Sequence, residues 1–345
     1  MGPERREREE KVLLAHGSGG KAMHSFIREM LAPLMSIEDF NDSAPIPFME
    51  DSGAPAERLV FTTDSYVVSP LFFPGGDIGS LSVNGTINDL SMAGASALCL
   101  SLGLIIEEGF PVDSLLRILG SVKEAAEAAG VRIVTGDTKV VERGKGDGLF
   151  INTSGVGAVR KGLALSPRNV VPGDAVILSG TIGNHGVAVM AERNGFTFDP
   201  PVLSDTAALN GLVDAMLSHT GDIHAMRDPT RGGLATTLKE IAVESGTCIE
   251  IDETEIPVSG SVRGACELLG LDPLHVANEG VLVAFVDESV AKSLLERMKE
   301  DPLGRDSAVI GRVKERPEGT VVLKTAIGGR RIVDMLHGEQ LPRIC

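Results

Sequence analysis

The sequence has 345 residues, 43% of them hydrophobic, with a formal net charge of −16, a single Tyr and no Trp. That is enough apolar material for two packed domains and too much for a disordered chain. The acidity and the missing aromatic platforms exclude nucleic-acid binding through phosphate neutralisation or base stacking.

In chain order, residues 1–10 are charged and aperiodic, and 1–40 reads as an arm carrying a glycine-rich loop. "RLVFTTDSYVV" (58–68) predicts a strand, "DIGSLSVNGTINDLSMAGA" a helix and "ALCLSLGLII" a strand. "PVDSLLRILGSVKEAAEAAG" is a helix with Leu115, Leu119, Val122 and Ala126 on one face, closed by Gly130. "VRIVTGDTKVV" and "GLFINTSGVGAV" are strands. "SPRNVVPGD" (166–174), with two prolines and a glycine, marks the boundary between domains at 41–165 and 166–333.

The second half mixes strands ("AVILSG", "CIEID", "VLVAFV", "AVIGRV", "TVVLKT") with helices ("HGVAVMAERNG", "LNGLVDAMLSHTG", "GLATTLKEIAVESG", "SVRGACELLG", "ESVAKSLLERMKED"). Such mixing predicts α+β or α/β layers. Residues 334–345, ending on Cys345, lack any period and read as a tail. No apolar run spans a membrane and no leader opens the chain, so a cytoplasmic protein is expected. Cys99, Cys248 and Cys266 read as reduced core thiols. His16, His185 and His275 are too scattered for zinc.

Five aspartates occupy short polar turns beside apolar strands: Asp51, Asp64, Asp89, Asp137 and Asp228. Carboxylates among small residues suit Mg²⁺ and a phosphate ligand, while each one singly is equally a turn or helix-capping residue. "HGSGGK" (16–21) has the composition of an anion nest, without the spacing of a Walker loop. "DPTRGGL" (228–234) offers Thr230 as a helix N-cap and Gly232 and Gly233 as bare donors at a helix start, or simply a tight turn. Glu279, in "HVANEGVLVAFV", is placed as a general base or a strand-edge acid. Lys139, after Asp137, is a charge-offsetting group or one half of an ion pair.

"LLAHGSGGKAMH", "TTDSYVVSPLFFPGGDIGSLSVNGTINDLSMAGA", "VTGDTKVV", "MRDPTRGGLATTLKEIA", "LGLDPLHVANEG" and above all "GEQLPRIC" resemble the HypE family of hydrogenase maturation factors, carbamoyl dehydratases of the PurM-like ATP-dependent superfamily. The resemblance covers nearly everything after residue 12. It implies a two-domain α+β fold: a dimerising, β-barrel-forming N-terminal domain whose barrel is shared across the homodimer, a C-terminal α/β domain and a mobile tail. It implies ATP and Mg²⁺ as cofactors and a homodimer. It also implies a carbamoyltransferase partner, HypF, and an iron-bearing HypC–HypD complex as recipient.

Carried onto this chain, the resemblance assigns the metal to Asp64, Asp89, Asp137 and Asp228, with Asp51 as a further candidate. Nucleotide contacts fall to His16, Gly17, Ser18, Gly19, Gly20, Lys21, Asp51, Asn88, Thr138, Asp228, Thr230, Gly232 and Gly233. Cys345 is the residue that carries the carbamoyl group, Glu279 the base and Lys139 its partner. The rivals are a related enzyme that phosphorylates a free small molecule, and a thiol carrier without catalysis. Neither a free-substrate enzyme nor its ATP site needs Cys345.

Overall fold

The computed structural model describes residues 20–31, 33, 43–45, 58–336, 341 and 343–345. Strand β2 (Leu59–Tyr66) buries Val60, Thr62 and Tyr66 and exposes Phe61, Thr63 and Ser65, the alternation of a sheet covered on one face. It pairs antiparallel with a short outer strand, β1 (Ala44–Pro45), and on its other side with β7 (Leu149–Val159). β7 pairs antiparallel with β5 (Ala95–Glu107), which runs parallel to β6 (Arg132–Val141). A two-stranded hairpin, β3 (Phe72–Phe73) with β4 (Gly76–Asp77), stands apart from this sheet.

Two helices cover the inner face. α1 (Lys21–Phe26) precedes them; α2 (Ile78–Met92) starts on Asp77, whose carboxylate accepts from the amides of Gly79 and Ser80 at 2.9 Å in a reciprocal capping box. α2 is buried nearly all round because the sheet lies on one side and the second domain on the other, with Met92 inside that domain's core. α3 (Val112–Ala128) is the crossover that the parallel β5–β6 pair requires. It buries Ile118, Val122 and Ala126.

Among the described residues no sheet closes into the expected β-barrel. The described sheet runs β1-β2-β7-β5-β6, and its outer strands do not pair with each other. α2 and α3 occupy the face around which closure would occur. The sheet is open, with Phe61, Ile105 and Val134 on its surface.

The second domain holds a seven-stranded sheet, β14-β13-β10-β12-β8-β11-β9. Its strands are β8 (Ala175–Leu178), β9 (Ile223–Arg227), β10 (Cys248–Asp252), β11 (Val283–Val286), β12 (Ala308–Lys314), β13 (Thr320–Lys324) and β14 (Arg330–Val333). Only β10 and β13 are parallel. The domain is therefore an α+β layer and not the α/β winding expected: helices separate the strands in sequence but do not connect parallel neighbours. Both faces of β8 and β11 are covered. Val176, Leu178, Val283 and Phe285 meet α6 (Gly233–Ser245), while Ala175, Ile177, Ala284 and Val286 meet α5 (Asn210–His219) and α8 (Glu288–Lys299). α4 (Asn184–Asn194) and α7 (Gly260–Leu269) complete the domain.

Gly85, inside α2, is glycine for want of room. A Cβ there would lie 2.2 Å from the hydroxyl oxygen of Tyr66, which is 4% exposed and cannot swing away. Gly85→Ala is expected to cost about 1–3 kcal/mol in urea unfolding. Adding Tyr66→Phe, which removes the clashing oxygen, should recover part of that loss; additive losses would refute the contact.

Candidate active site around the docked terminus

Residues 343–345 lie in a crevice where the two domains meet. The Val67 amide donates to the Cys345 carbonyl at 3.1 Å and the Ser69 amide to the Arg343 carbonyl at 3.2 Å, an antiparallel extension just beyond β2. Arg343 reaches back with Nε to the Val67 carbonyl at 2.9 Å and forms an ion pair with Asp147. Ile344 is 3% exposed and joins the apolar cluster of Tyr66, Phe73, Ile78 and Leu81, with Cys345 packed at its edge.

The Cys345 thiol faces Arg231, Glu279 and Asp64. Burial pushes it up to about 12; Glu279 and Asp64 push the same way, and Arg231 opposes them. Arg231 is exposed along the crevice wall, and its guanidinium is held above its usual range by Cys345 first, then by Asp64, Glu279 and Tyr66. Tyr66 donates to Asp64 Oδ2 at 3.2 Å, and Thr62 donates to Asp89 Oδ2 at 2.7 Å. Burial, then Asp64, Glu279 and Asp89, raise the Tyr66 phenol well above its normal value, so it remains a donor.

Glu279 is 3% exposed, and its Oε1 has no hydrogen-bond partner. Burial and then the neighbouring carboxylates Asp228, Asp205 and Asp64 raise it well above the ordinary range, with Arg231 opposing. Its place is fixed by its neighbours in "ANEG". Asn278 donates to the Pro229 carbonyl at 2.8 Å and accepts from the Gly183 amide at 2.7 Å, tying the Asp228 turn to this segment. Asp205 Oδ2 accepts from the amides of Glu279 and Gly280, both at 3.0 Å.

The predicted residues therefore divide. Asp64, Asp89, Asp228, Glu279 and Cys345 share the crevice. Asp137 and Lys139 do not: they pair with each other at 2.6 Å on β6, about 14 Å across the sheet from Asp64 at ordinary strand spacing. They also face the other way. Asp64 is in register with buried Thr153 and Leu102 on the helix side, whereas Asp137 and Lys139 are in register with Gly103 and Ile105 on the open side. Thr138, between them, is exposed on the same strand.

Asn88 spends its side chain on the 207–209 backbone, donating to the Ala207 carbonyl at 3.0 Å and accepting from the Leu209 amide at 2.8 Å. Thr230 is not the N-cap; Gly232 takes that position at φ 81°. A Cβ on Gly233 would strike the carbonyls of Leu274 and Val276 at 2.5 and 2.7 Å, so its smallness serves packing. Lys21 is bound to Asp334 at 2.8 Å, and Gly20 precedes it at the start of α1. His16, Gly17, Ser18, Gly19 and Asp51 lie outside the described residues.

Among the described residues, no three of His, Cys, Asp and Glu cluster as a metal cage. The crevice suits Mg²⁺ in its other mode, in which one or two carboxylates and phosphate oxygens share the ion with water. The orphaned, buried Oε1 of Glu279 points to a group that is still to be received.

Three residues of this site went unread in the sequence. Tyr66 follows Asp64 by two, so the strand period alone puts it on the same face. Arg231 stood inside the quoted "DPTRGG". Asp205 had no signal, since its role depends on amides 74 and 75 residues away.

Burial raises Asp205 to about 6. A carboxyl whose folded value lies above its unfolded one binds more protons when folded, so its contribution to stability is lost as pH rises toward 6. Asp205→Asn removes that cost. Its melting temperature relative to the parent should be higher at pH 7.5 than at pH 5; an equal difference at both would refute the burial argument.

Two family profiles match the chain: AIR synthase related protein, N-terminal domain, over 42–159, and AIR synthase related protein, C-terminal domain, over 171–324. The carbamoyl dehydratase HypE of Azotobacter vinelandii is 52% identical over 337 residues, covering 97% of each chain. A crystal structure of a HypE–HypF complex matches with TM-score 0.84 at 47% identity, covering 90% of this chain and all of that one. A HypE structure in complex with ATP matches with TM-score 0.81 at 46% identity, covering 97% and 100%. No described helix is long and apolar enough to cross a membrane. With both domains matched and half the residues shared along almost its full length, the chain belongs to the HypE family.

Proposed function

We propose that this chain is an ATP-dependent carbamoyl dehydratase that converts a carbamoyl group on Cys345 into a thiocyanate, the cyanide source for a [NiFe]-hydrogenase iron centre. The observation that carries this reading is the placement of the Cys345 thiol against Glu279 and Arg231 in an acidic crevice. Converting S–C(=O)–NH₂ into S–C≡N requires oxygen to leave and nitrogen to lose two protons. Bound Mg-ATP supplies a phosphoryl group that turns the oxygen into a leaving phosphate. Asp64, Asp89 and Asp228 would hold magnesium, one or two carboxylates to an ion, together with phosphate oxygens.

The chain's own groups do the rest. Of the two nitrogen protons, Glu279 receives one on its unpartnered Oε1 and water at the crevice mouth takes the other; burial raises the affinity of Glu279 for protons, as a base requires. Arg231 offsets negative charge at the reacting oxygen, a role that gains strength in a crowded site. Apolar packing around Ile344 and Tyr66 walls one side of the Cys345 thiol and limits water there.

Partners follow from the same chemistry. HypF, present with a HypE in the matched complex, is the proposed donor of the carbamoyl group. An iron held by a HypC–HypD complex is the proposed acceptor of cyanide. We assign a homodimer contact to the open sheet face with Phe61 and Ile105, and place Asp137 and Lys139 in that contact.

Protein carbamoylated on Cys345 and given Mg-ATP should lose one water from its terminal peptide by mass spectrometry. An unchanged mass would point to a carrier, and turnover without Cys345 to a free-substrate enzyme. Glu279→Gln should keep ATP binding and lose at least about a hundredfold in conversion. The parent rate should rise with pH through a value above the usual carboxylate range, because the base must first be deprotonated. If Lys139 acts across a dimer, mixing Lys139→Ala with Glu279→Gln should restore activity that neither has alone.

A further inference from the structure

The contacts that dock the tail on 67–69 are made to backbone, and backbone pairing does not say which residue sits where. A slip of one residue inverts every side chain of the tail, turning Ile344 toward the reacting groups and Cys345 away. A slip of two preserves the hydrogen-bond pattern and moves the thiol by a full repeat. Arg343, paired with Asp147, and Ile344, buried among apolar side chains, resist such slips, and one further feature acts with them.

That feature is on α4. His185, 0% exposed in its first turn, places Nε2 at 2.7 Å from the Ile344 carbonyl and Nδ1 at 2.8 Å from Ser204 Oγ. The carbonyl only accepts, so the proton is on Nε2, and Nδ1 accepts from the Ser204 hydroxyl. Ser204 is itself held, its oxygen accepting from the Thr206 amide at 3.1 Å. Phe73 packs edge-to-face on the imidazole at 5.3 Å. Burial draws His185 down to about 4, so the ring stays neutral and keeps this tautomer at physiological pH. Eight residues further along, Arg193 donates through Nη2 to the Arg343 carbonyl at 2.8 Å and through Nε to the Ser69 carbonyl at 2.7 Å. One helix thus grips two successive tail carbonyls and the strand they pair with.

We propose that His185, with Arg193, is a positioning residue that sets the register of the docked tail, so that the side chain of residue 345 and not that of residue 344 meets Glu279 and Arg231. Neither residue touches the reacting atoms. His185 acts through the Ile344 carbonyl, and Ser204 acts through His185. Only the conversion readout below rests on the dehydratase reading.

Full-length protein is treated with iodoacetamide and the alkylation rate of Cys345 followed by mass spectrometry, with buried Cys248 and Cys266 as internal references. Removing a buried donor and orphaning its carbonyl shifts docking about tenfold or more, so His185→Phe should raise the Cys345 rate by about that factor. His185→Gln, which keeps a donor, should stay within about twofold of the parent, with melting temperatures unchanged. Carbamoylated His185→Phe should bind ATP and convert poorly, and His185→Gln should recover conversion. If His185→Phe does not fold, Ser204→Ala carries the same test in the same direction. Equal protection of Cys345 in the parent and these variants would overturn the proposal, as would equal lability of the Gln and Phe variants. Deprotection in His185→Phe combined with no conversion in the parent would leave the register role standing and remove the dehydratase reading.

Discussion

The pairing of the last three residues with 67–69 is the interaction on which the site depends, because it brings a distant thiol to Glu279, a carboxyl fixed elsewhere. Its energetics are balanced. Each hydrogen bond nets about 1 kcal/mol, and burying Ile344 adds about 2–3. Ordering the tail costs about 1–2 kcal/mol per residue in backbone entropy alone. Terms of this size hold a segment in one geometry and still let it go.

The rest of the molecule makes the other half of the meeting point rigid. Asn278 ties the Asp228 turn and the start of α4 to the segment bearing Glu279, and Asp205 holds that segment's amides from the opposite side. Asn88 of α2 clamps the loop containing Asp205 to the first domain. Tyr66 can approach α2 only where Gly85 leaves room. Both domains therefore supply walls of one crevice, and shifting either would separate Glu279 from Asp64 and from the thiol docked beside it.

Much of this was legible in the residues. The alternation in 59–66 and the stripe in 112–128 gave strand and helix because each buries one face, and the motif residues Asp64, Asp228 and Glu279 converge. The placement of Asp137 and Lys139 was not legible. β5 and β6 lose register between Leu100 and Ser101, so Val134 is passed over and the residues after it change faces. No local pattern announces such a slip. The antiparallel second sheet was hidden for a related reason, since helices between strands suggest crossovers that the strand order does not use. Asp205 and His185 derive their importance from contacts across the fold, and short sequence windows carry no trace of those.

The thiol's elevated pKa has a directional consequence. A sulfur kept as S–H attacks poorly, because the thiolate is the nucleophile. The docked thiol is thus a poor nucleophile, and on the proposed function Cys345 would be the better acceptor outside the crevice. On that proposed function, acid–base chemistry favours loading away from the crevice and conversion within it.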